Sequence, residues 1–258
     1  MKLKAGLLAV FFLISLPACR QIFAPDYPEK DQKWEKRKTS YFVMYYRADS
    51  LAEQNIDHII QQENNARSRI LDRFGLFYKG IISVFIYRSA EDAGWDNVGG
   101  RAYPRTETIE AVYGPQGKTI GEPGVSAHEM AHVITHNRIG TPGTSFMSEG
   151  AAVAMDDVWF GDGKIQQHVH AWTNQFFRDG KLPALETLIH DFHTISSQVS
   201  YPVSGSFSLY ILDLYGEEAY KQLFFEGFAR NFKNKFKEIY GLTLDEAQEE
   251  WIAFCNRY

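Results

Sequence analysis

The sequence predicts an α+β fold, with a small N-terminal lobe of mixed sheet and helices and a mainly helical C-terminal lobe across a cleft. Three observations lead to this prediction. Up to residue 113, short runs of β-branched and aromatic residues alternate with helical patterns. From residue 125 onward the patterns are mostly helical and are separated by glycines and capping residues. The 258 residues are 45% hydrophobic and 23% charged, which suits one large domain built as two lobes.

The N-terminus carries the pattern of an export signal. Lys2 and Lys4 precede an apolar run over residues 5–16, which has signal-peptide length and is too short to span a bilayer comfortably. Leu-Pro-Ala-Cys follows at 16–19 and resembles a bacterial lipoprotein signal, in which the cysteine, here Cys19, is lipidated after cleavage. A plain secretory signal is the alternative. The next residue is not the aspartate associated with inner-membrane retention, so the resemblance implies a lipid anchor on the outer-membrane or periplasmic side of the envelope.

These patterns divide the chain into three parts. They are a signal peptide at 1–18, a charged and proline-containing tether at 19–36, and a folded domain at 37–258 with lobes at about 37–138 and 139–258. The only other cysteine, Cys255, lies in an apolar C-terminal pattern and has no intramolecular partner if Cys19 is lipidated. The domain is therefore expected to depend on its core rather than on a disulfide, with Cys255 as a small buried residue.

The charge pattern does not support a nucleic-acid partner. The formal net charge is −5, and the run over residues 30–38 mixes both signs, as is typical of a solvated segment. Neither a phosphate-binding glycine loop nor a G-x-S-x-G nucleophile motif is present. The sequence therefore gives no support to nucleotide binding or to serine hydrolysis.

Two strands and two helices are predicted before residue 95. Residues 41–46 form a β-rich run and are predicted to be the first strand. A capping box at Ser50 opens one long helix that Gly75 closes. Residues 81–87 are apolar enough for a central strand, and a short helix is predicted from Ser89.

A further strand is predicted just before the central helix of the chain. Residues 99–104 are expected to be a turn-rich loop, and residues 108–113 an edge strand. The free edge of that strand is a candidate for pairing with an extended peptide. The residues concerned are Thr108, Ile109, Glu110, Ala111 and Val112. An ordinary edge strand without a ligand is the alternative.

The stretch that carries most chemistry reads His-Glu-Met-Ala-His at 128–132, inside a segment predicted to be helical from Val125 to about Arg138. Positions i and i+4 share one face about 6 Å apart, so His128 and His132 can bind one metal ion at about 2.1 Å each. Glu129 lies one residue further round the helix, where it can hold a water molecule. Two histidine ligands with a glutamate general base are typical of zinc peptidases. The alternative is that both histidines have ordinary hydrogen-bond partners on a half-buried helix and bind no metal.

A catalytic zinc site needs a third protein ligand. His136 continues the i+4 series, but it lies about 12 Å along the helix axis from His128 and cannot share an ion with it. His136 is more typical of a last-turn residue favoured by the helix dipole. Glu149, in a helix predicted over residues 146–154, is the better candidate.

The residues around Glu149 resemble a known family. Ser-Glu-Gly-Ala-Ala at 148–152, downstream of HExxH, is similar to the (N/S)-E-G-x-A segment of the gluzincin metallopeptidases, the thermolysin and aminopeptidase group. The order of elements over roughly residues 40–258 resembles the bacterial peptidase MA-like domains. The resemblance implies a zincin-like fold with the active site in the cleft, and one Zn²⁺ held by the two histidines and Glu149. It also implies peptide-bond hydrolysis by a zinc-activated water, with Glu129 as general base.

The resemblance extends to the C-terminal lobe, with one departure. Residues 201–216 resemble a Tyr-x-x-(A/S)-x-S-Phe-x-x-Tyr-Leu helix that ends in glycine, and this implies that Tyr201 donates a hydrogen bond to the tetrahedral oxyanion. The alternative is that Tyr201 only begins a helix and has no catalytic role. The thermolysin-like branch has an aspartate four residues after its glutamate ligand, which orients a histidine. Here Val153 stands at that position and Asp156 and Asp157 lie further on, so the partners of the imidazoles stay open.

The remaining residues are predicted to be helical. The segments are 164–179, 184–190, 201–215 ended by Gly216, 217–230, 232–240 and 243–257. The expectation as a whole is a zinc metallopeptidase with a peptide or protein substrate and membrane contact through its N-terminal lipid. The alternative is a zinc-binding, non-catalytic envelope lipoprotein that uses a protease-like fold. That alternative predicts bound zinc without hydrolysis, and the intact Glu129 favours the enzyme.

Overall fold

A five-stranded mixed sheet occupies the N-terminal half of the fold. The computed structural model describes residues 33–95, 99–114, 125–161 and 165–258. The strands are β1 (Trp34–Lys38), β2 (Phe42–Arg47), β3 (Ile82–Tyr87), β4 (Gly100–Tyr103) and β5 (Thr108–Val112). They lie in the order β1-β2-β3-β5-β4. The three inner strands are parallel and both edge strands are antiparallel to their neighbours, so the predicted central position of β3 is confirmed.

The two faces of the sheet have different neighbours, because side chains alternate along each strand. The residues that face the helices are fully buried: Phe42, Met44, Ile82, Val84, Ile109 and Ala111. The opposite face carries a separate aromatic cluster, formed by Trp34, Tyr45, Phe85, Tyr87, Trp95 and Val112. The first set belongs to the core that also buries the helix with the histidine motif.

Helices make up most of the rest of the described chain. They are α1 (Leu51–Gln54), α2 (Ile56–Arg73), α3 (Val125–Arg138), α4 (Ser145–Val153), α5 (Val169–Arg178), α6 (Leu185–Asp191), α7 (Ser197–Glu226), α8 (Phe232–Tyr240) and α9 (Leu244–Cys255). A small hairpin of β6 (Val158–Gly161) and β7 (Ile165–His168) separates α4 from α5. The predicted α+β fold with a mainly helical C-terminal part is therefore confirmed. None of the helices in the described ranges combines the length and apolar character needed to span a bilayer.

The boundary of the predicted tether needs correction. The signal peptide at 1–18, Cys19 and the tether up to residue 32 lie outside the described residues. The last tether residues, Trp34 to Lys36, belong to β1, which pairs with β2 from Trp34 opposite Arg47 to Lys38 opposite Val43. Four of the five residues of β1 are exposed. Charged residues of this kind protect an edge strand from pairing with other chains, and they gave the segment its tether-like composition.

The long helix predicted from Ser50 is interrupted at Asn55, which caps α1 and begins α2. The Ser50 side chain accepts a hydrogen bond from the Glu53 backbone N–H at 3.1 Å, as the capping pattern predicts. The Glu53 carboxylate, however, accepts from the backbone of Asp49 at 2.7 Å and not from Ser50. The helix predicted from Ser89 is wrong, because residues 89–94 form only turns.

The prediction that Thr108, Ile109, Glu110, Ala111 and Val112 form an edge strand is wrong. All five residues are buried in β5, which hydrogen-bonds to β3 on one side and to β4 on the other. The carboxylate of Glu110 already accepts hydrogen bonds from the hydroxyls of Tyr87 at 3.1 Å and Tyr103 at 3.0 Å. The strand therefore has no edge to offer an extended peptide.

The free edge on this side of the sheet belongs to β4, in the segment predicted to be a loop. The loop was predicted from the glycines at 99 and 100 and from Pro104, but residues 100–103 form a strand of four residues. This strand lies against α3, and the Asn137 side chain of α3 donates to the Pro104 carbonyl at 2.8 Å. β4 is thus the strand edge nearest to the histidine motif.

The C-terminal helices follow the sequence pattern in part, although α7 begins at Ser197 rather than at the predicted Tyr201. The break predicted at Gly216 is present, with φ 79° and ψ 172° inside α7. The capping box at Thr243 opens α9 with both of its hydrogen bonds. The helix predicted over 164–179 begins only at Val169, because residues 165–168 form β7. The preceding strand β6 was not predicted.

Helices α4 and α7 cross at very short range because each has a glycine at the crossing. A Cβ atom on Gly150 of α4 would lie 2.8 Å from the Ser204 carbonyl oxygen, and one on Gly205 of α7 would lie 2.8 Å from the Cβ of Val153. Both distances are shorter than any real carbon contact. The crossing therefore fixes α4 firmly on the helical part of the fold.

A buried polar network connects α5, α7 and α9. The Ser206 hydroxyl lies 2.8 Å from His170 Nδ1, accepts from Trp251 Nε1 at 3.0 Å and lies 3.4 Å from Cys255 Sγ. Cys255 is 1% exposed, which confirms the prediction that it is a small buried residue. Burial lowers the pKa of His170 to about 3.

The lowered pKa of His170 makes the free energy of unfolding depend on pH. The unfolded chain takes up a proton on His170 near pH 6.5 whereas the folded chain does not, so its contribution is complete above pH 6.5 and is lost as pH falls towards 3. The loss is about 1.4 kcal/mol per pH unit inside that window. Urea unfolding at pH 7 and pH 5 should show a smaller pH dependence for His170→Gln than for the parent. The exposed His190→Gln is the control, and an unchanged dependence in His170→Gln would contradict the prediction.

Candidate metal centre

The histidine motif lies on α3, whose bounds match the sequence prediction. Residues around the motif are fully buried and hold the helix in the core, with Met130, Ala131 and Val133 at 0% exposure. His128 and His132 lie one turn apart on the less buried side, with ring centroids 4.8 Å apart and ring planes nearly perpendicular. The core-facing residues of α3 thus present two imidazoles side by side.

Helix α4 brings the third group. The Thr144 side chain caps it by accepting from the Met147 backbone N–H at 3.2 Å. Phe146 and Met147 are fully buried, and α4 packs against both α3 and α7. These contacts place Glu149, in the second turn of α4, opposite the two histidines.

His128, His132 and Glu149 form a group with metal-binding geometry. The Oε2 atom of Glu149 lies 3.2 Å from His128 Nε2 and 3.4 Å from His132 Nε2, and the two Nε2 atoms are 3.2 Å apart. Three ligands at about 2.0–2.1 Å in a tetrahedral site are separated by about 3.3 Å, by trigonometry. The distances among the three side chains are therefore compatible with one metal ion between them.

The charges of His128, His132 and Glu149 favour binding of a positive charge, a proton or a metal ion, between the three side chains. Burial opposes the ionised form of Glu149, but its hydrogen bonds with both histidines and their charges outweigh burial and hold its pKa well below the usual range. Burial likewise disfavours protonated His128, yet the hydrogen bond with Glu149 and the charges of Glu129 and Glu149 raise its pKa. A proton and a metal ion therefore compete for the same position.

Glu129 faces the same group without belonging to it. Burial raises the pKa of its carboxyl, an effect that the charges of His128 and His132 partly offset. A carboxylate with a raised pKa is a stronger base than an exposed one, which suits a group that takes up a proton and passes it on.

The structure places His136 outside the metal-binding group. Its Nε2 atom lies 3.3 Å from the Ser148 hydroxyl, and its ring packs edge-on against Phe224 at 6.3 Å. Burial lowers the pKa of His136 to about 4. The sequence argument against His136 as a ligand therefore agrees with the geometry.

Because position 153 is a valine rather than an aspartate, other groups must contact the imidazole rings of His128 and His132. Val153 packs towards Gly205 of α7 rather than towards a histidine. The Ser148 hydroxyl instead lies 3.2 Å from His132 Nδ1. On the His128 side, the buried Asp156 receives a hydrogen bond from Arg69 at 2.8 Å, and its charge helps to raise the pKa of His128.

Aromatic side chains form one wall of the site. The Tyr201 ring stacks on His128 with centroids 5.9 Å apart. Burial and the charges of Glu149 and Glu129 raise the pKa of Tyr201 far above the usual value. Trp159 packs on the other side of Tyr201 at 5.3 Å, and Phe192 adds a contact at 5.6 Å.

Sequence reasoning missed Trp159, which lies on β6. The signal was present, because Val-Trp-Phe at 158–160 is a β-rich run followed by the turn residues Gly-Asp-Gly. A run so short does not reveal that it packs against Tyr201 of α7. Trp159 owes its place in the site to the packing of the hairpin on α7.

The structure thus brings three of the residues singled out in the sequence into one group, His128, His132 and Glu149. The charges of this group act on Glu129, and the ring of Tyr201 stacks on His128. Residues 108–112 take no part in the group, and Cys19 lies outside the described residues. No protein-family model and no curated protein matches this chain.

Proposed function

We propose that the chain is a zinc-dependent peptidase of the gluzincin type, with His128, His132 and Glu149 as metal ligands and Glu129 as general base. The observation that carries the proposal is the near-tetrahedral spacing of the three ligand atoms, 3.2 to 3.4 Å apart. A fourth titratable group, Glu129, faces them. Three protein ligands leave one position open, as catalytic zinc sites require.

The donor set supports zinc as the ion. Two imidazole nitrogens and one carboxylate oxygen are the ligands of catalytic zinc in several peptidases. A bound zinc ion supplies Lewis acidity that polarises a carbonyl group and makes a neighbouring water more acidic. One ion per chain satisfies the three ligands.

The roles of the protein groups follow from their positions. Glu129 accepts one proton from the attacking water at a carboxylate oxygen, and the water oxygen forms a bond to the scissile carbonyl carbon. Glu129 then delivers the proton to the leaving amine nitrogen as the C–N bond breaks. The two transfers return Glu129 to its ionised form, so the carboxylate is regenerated in each turnover.

The free edge of β4 supports binding of an extended peptide. β4 replaces the strand assigned to this role from sequence, because its outer side is unpaired in the described sheet and it lies against α3. Main-chain hydrogen bonds to such an edge hold a peptide with little regard to its side chains. The substrate class in this proposal is therefore an extended peptide or an unfolded protein segment.

Export and anchoring complete the proposal. The basic, then apolar N-terminus and the Leu-Pro-Ala-Cys pattern support lipid attachment at Cys19. The peptidase then acts in the bacterial cell envelope on peptide or protein substrates. No nucleic acid takes part.

The direct test is incubation of the purified full chain with a mixed peptide library and with an unfolded protein. New peptide termini, identified by mass spectrometry, should form with the parent, disappear with a chelator and return with added zinc. Bound zinc without any cleavage would overturn the peptidase proposal in favour of a zinc-binding, non-catalytic lipoprotein. A parent without bound metal would overturn both.

The hydroxyl of Tyr201 has a predicted effect on turnover. Tyr201→Phe keeps the ring between His128 and Trp159 but removes the O–H group, so kcat should fall about 10²- to 10³-fold, as when one oxyanion donor is lost. Zinc content and KM should change little. Steady-state kinetics and metal analysis check this, with Tyr215→Phe on the same helix as control. A loss of zinc affinity with normal kcat at saturating zinc would instead mean that Tyr201 only orders Glu149.

A further inference from the structure

The Ser148 hydroxyl lies between two histidines of one helix. Its oxygen is 3.2 Å from His132 Nδ1 and 3.3 Å from His136 Nε2. Ser148 is on α4, one residue before the ligand Glu149, whereas both histidines are on α3. One hydroxyl thus connects a metal ligand to a histidine that is not a ligand.

The chemistry of the ligand sets the direction of both hydrogen bonds. If His132 binds an ion through Nε2, its ring proton must be on Nδ1, so this N–H donates to the Ser148 oxygen. The single hydrogen of the hydroxyl is then free to point to His136 Nε2, which accepts it. The order of donation runs from His132 to Ser148 to His136.

The far end of this chain of hydrogen bonds is anchored in the core. The His136 ring packs edge-on against Phe224, which is fully buried on α7. The other metal ligands have different neighbours: the charge of Asp156 acts on His128, and Glu149 Oε2 lies within 3.4 Å of both histidines. Only His132 among the three relies on Ser148 within the described residues.

We propose that Ser148 and His136 are positioning residues that hold the tautomer and ring orientation of His132 for metal binding. The inference rests on the proposed metal site. It goes beyond that site because it assigns a function to a third histidine that binds no ion. It also explains how the site works with valine at position 153, where no carboxylate is available.

The expected effects form a ranked series. Ser148→Ala should weaken zinc binding about 10- to 100-fold, the usual effect of losing such a partner. His136→Phe keeps the packing against Phe224 and should weaken binding less, because Ser148 still accepts from His132. The conservative Ser148→Thr keeps the hydroxyl and should retain most of the zinc affinity of the parent. Ser145→Ala is the matched control, because this serine is on the same helix and its hydroxyl bonds to His193 at 3.0 Å, outside the site.

The losses of zinc-binding free energy caused by the two substitutions should not add. Because both residues act through one chain of hydrogen bonds, the double variant Ser148→Ala/His136→Phe should bind zinc about as weakly as Ser148→Ala alone. A purely structural effect of two separate cavities would instead give the sum of the two losses.

The experiment is competition for zinc with a chromogenic chelator, together with the absorption spectrum of the Co²⁺-substituted full chain. Ser148→Ala and His136→Phe should both shift the Co²⁺ bands, because the ligand orientation changes, whereas Ser145→Ala should not. Circular dichroism of the metal-free variants confirms that they fold. If the parent and the control bind zinc and Ser148→Ala binds it equally tightly with an unchanged spectrum, the inference is wrong while the metal site stands. If the parent binds no ion, the metal site itself is wrong and the inference falls with it.

Discussion

Glu129→Gln is expected to abolish peptide hydrolysis while leaving zinc bound. The amide has nearly the same shape as the carboxylate but cannot take up the proton of the attacking water. Loss of a general base lowers kcat by about 10²- to 10⁴-fold. Because Glu129 is not one of the three grouped ligands, the zinc content per chain should remain that of the parent. Cleavage of a peptide found in the library assay and metal analysis of the same sample measure both quantities.

The exposed Glu91→Gln serves as the control for this substitution, since it makes the same chemical change outside the site. It should keep both activity and zinc. Retained hydrolysis in Glu129→Gln would show that another group takes the proton, and the mechanism proposed for this site would be wrong.

The second large effect concerns the metal itself. Glu149→Ala and His132→Ala should each reduce zinc from near one ion per chain to a trace after dialysis, because two ligands hold zinc far more weakly than three. The loss should exceed the roughly 100-fold effect of an outer partner. The exposed His58→Ala on α2 is the control for a lost histidine and should keep its zinc.

Different patterns of zinc loss have different meanings. Loss in both ligand variants supports the three-ligand site. Loss with His132→Ala but not with Glu149→Ala would remove Glu149 as a ligand, and with it the resemblance to gluzincins. Zinc retained in both variants would mean that the ion binds elsewhere on the chain.

The sequence predicted the parts of the site that depend on local geometry. The spacing of His128 and His132 on one helix follows from 3.6 residues per turn, and the bounds of α3 were predicted correctly. Glu149 was selected through its motif and a resemblance. Its distance to the histidines depends on how α4 packs on α3, which no local pattern specifies.

Non-local pairing explains the errors. The order of strands in a sheet is not visible in a single run of residues, so β5 was assigned to an edge although β4 covers it. β4 itself, with glycines at its start, was too short to distinguish from a loop. The contacts of Ser148 with two histidines and of Trp159 with Tyr201 join separate elements, and they became visible only in the folded chain.

The crossing of α4 and α7 has a consequence for the lifetime of a bound ion. Gly150 and Gly205 bring the backbones of the two helices into direct contact, so α4 should move away only when the core around the crossing opens. Fluctuations of the backbone beside Glu149 should then be as rare as opening of the core, and the amide protons of α4 should exchange slowly with solvent. An ion at this site would then leave by rotation of its ligand side chains rather than by movement of the helix, so zinc exchange should not require the core opening that exposes the amide protons of α4.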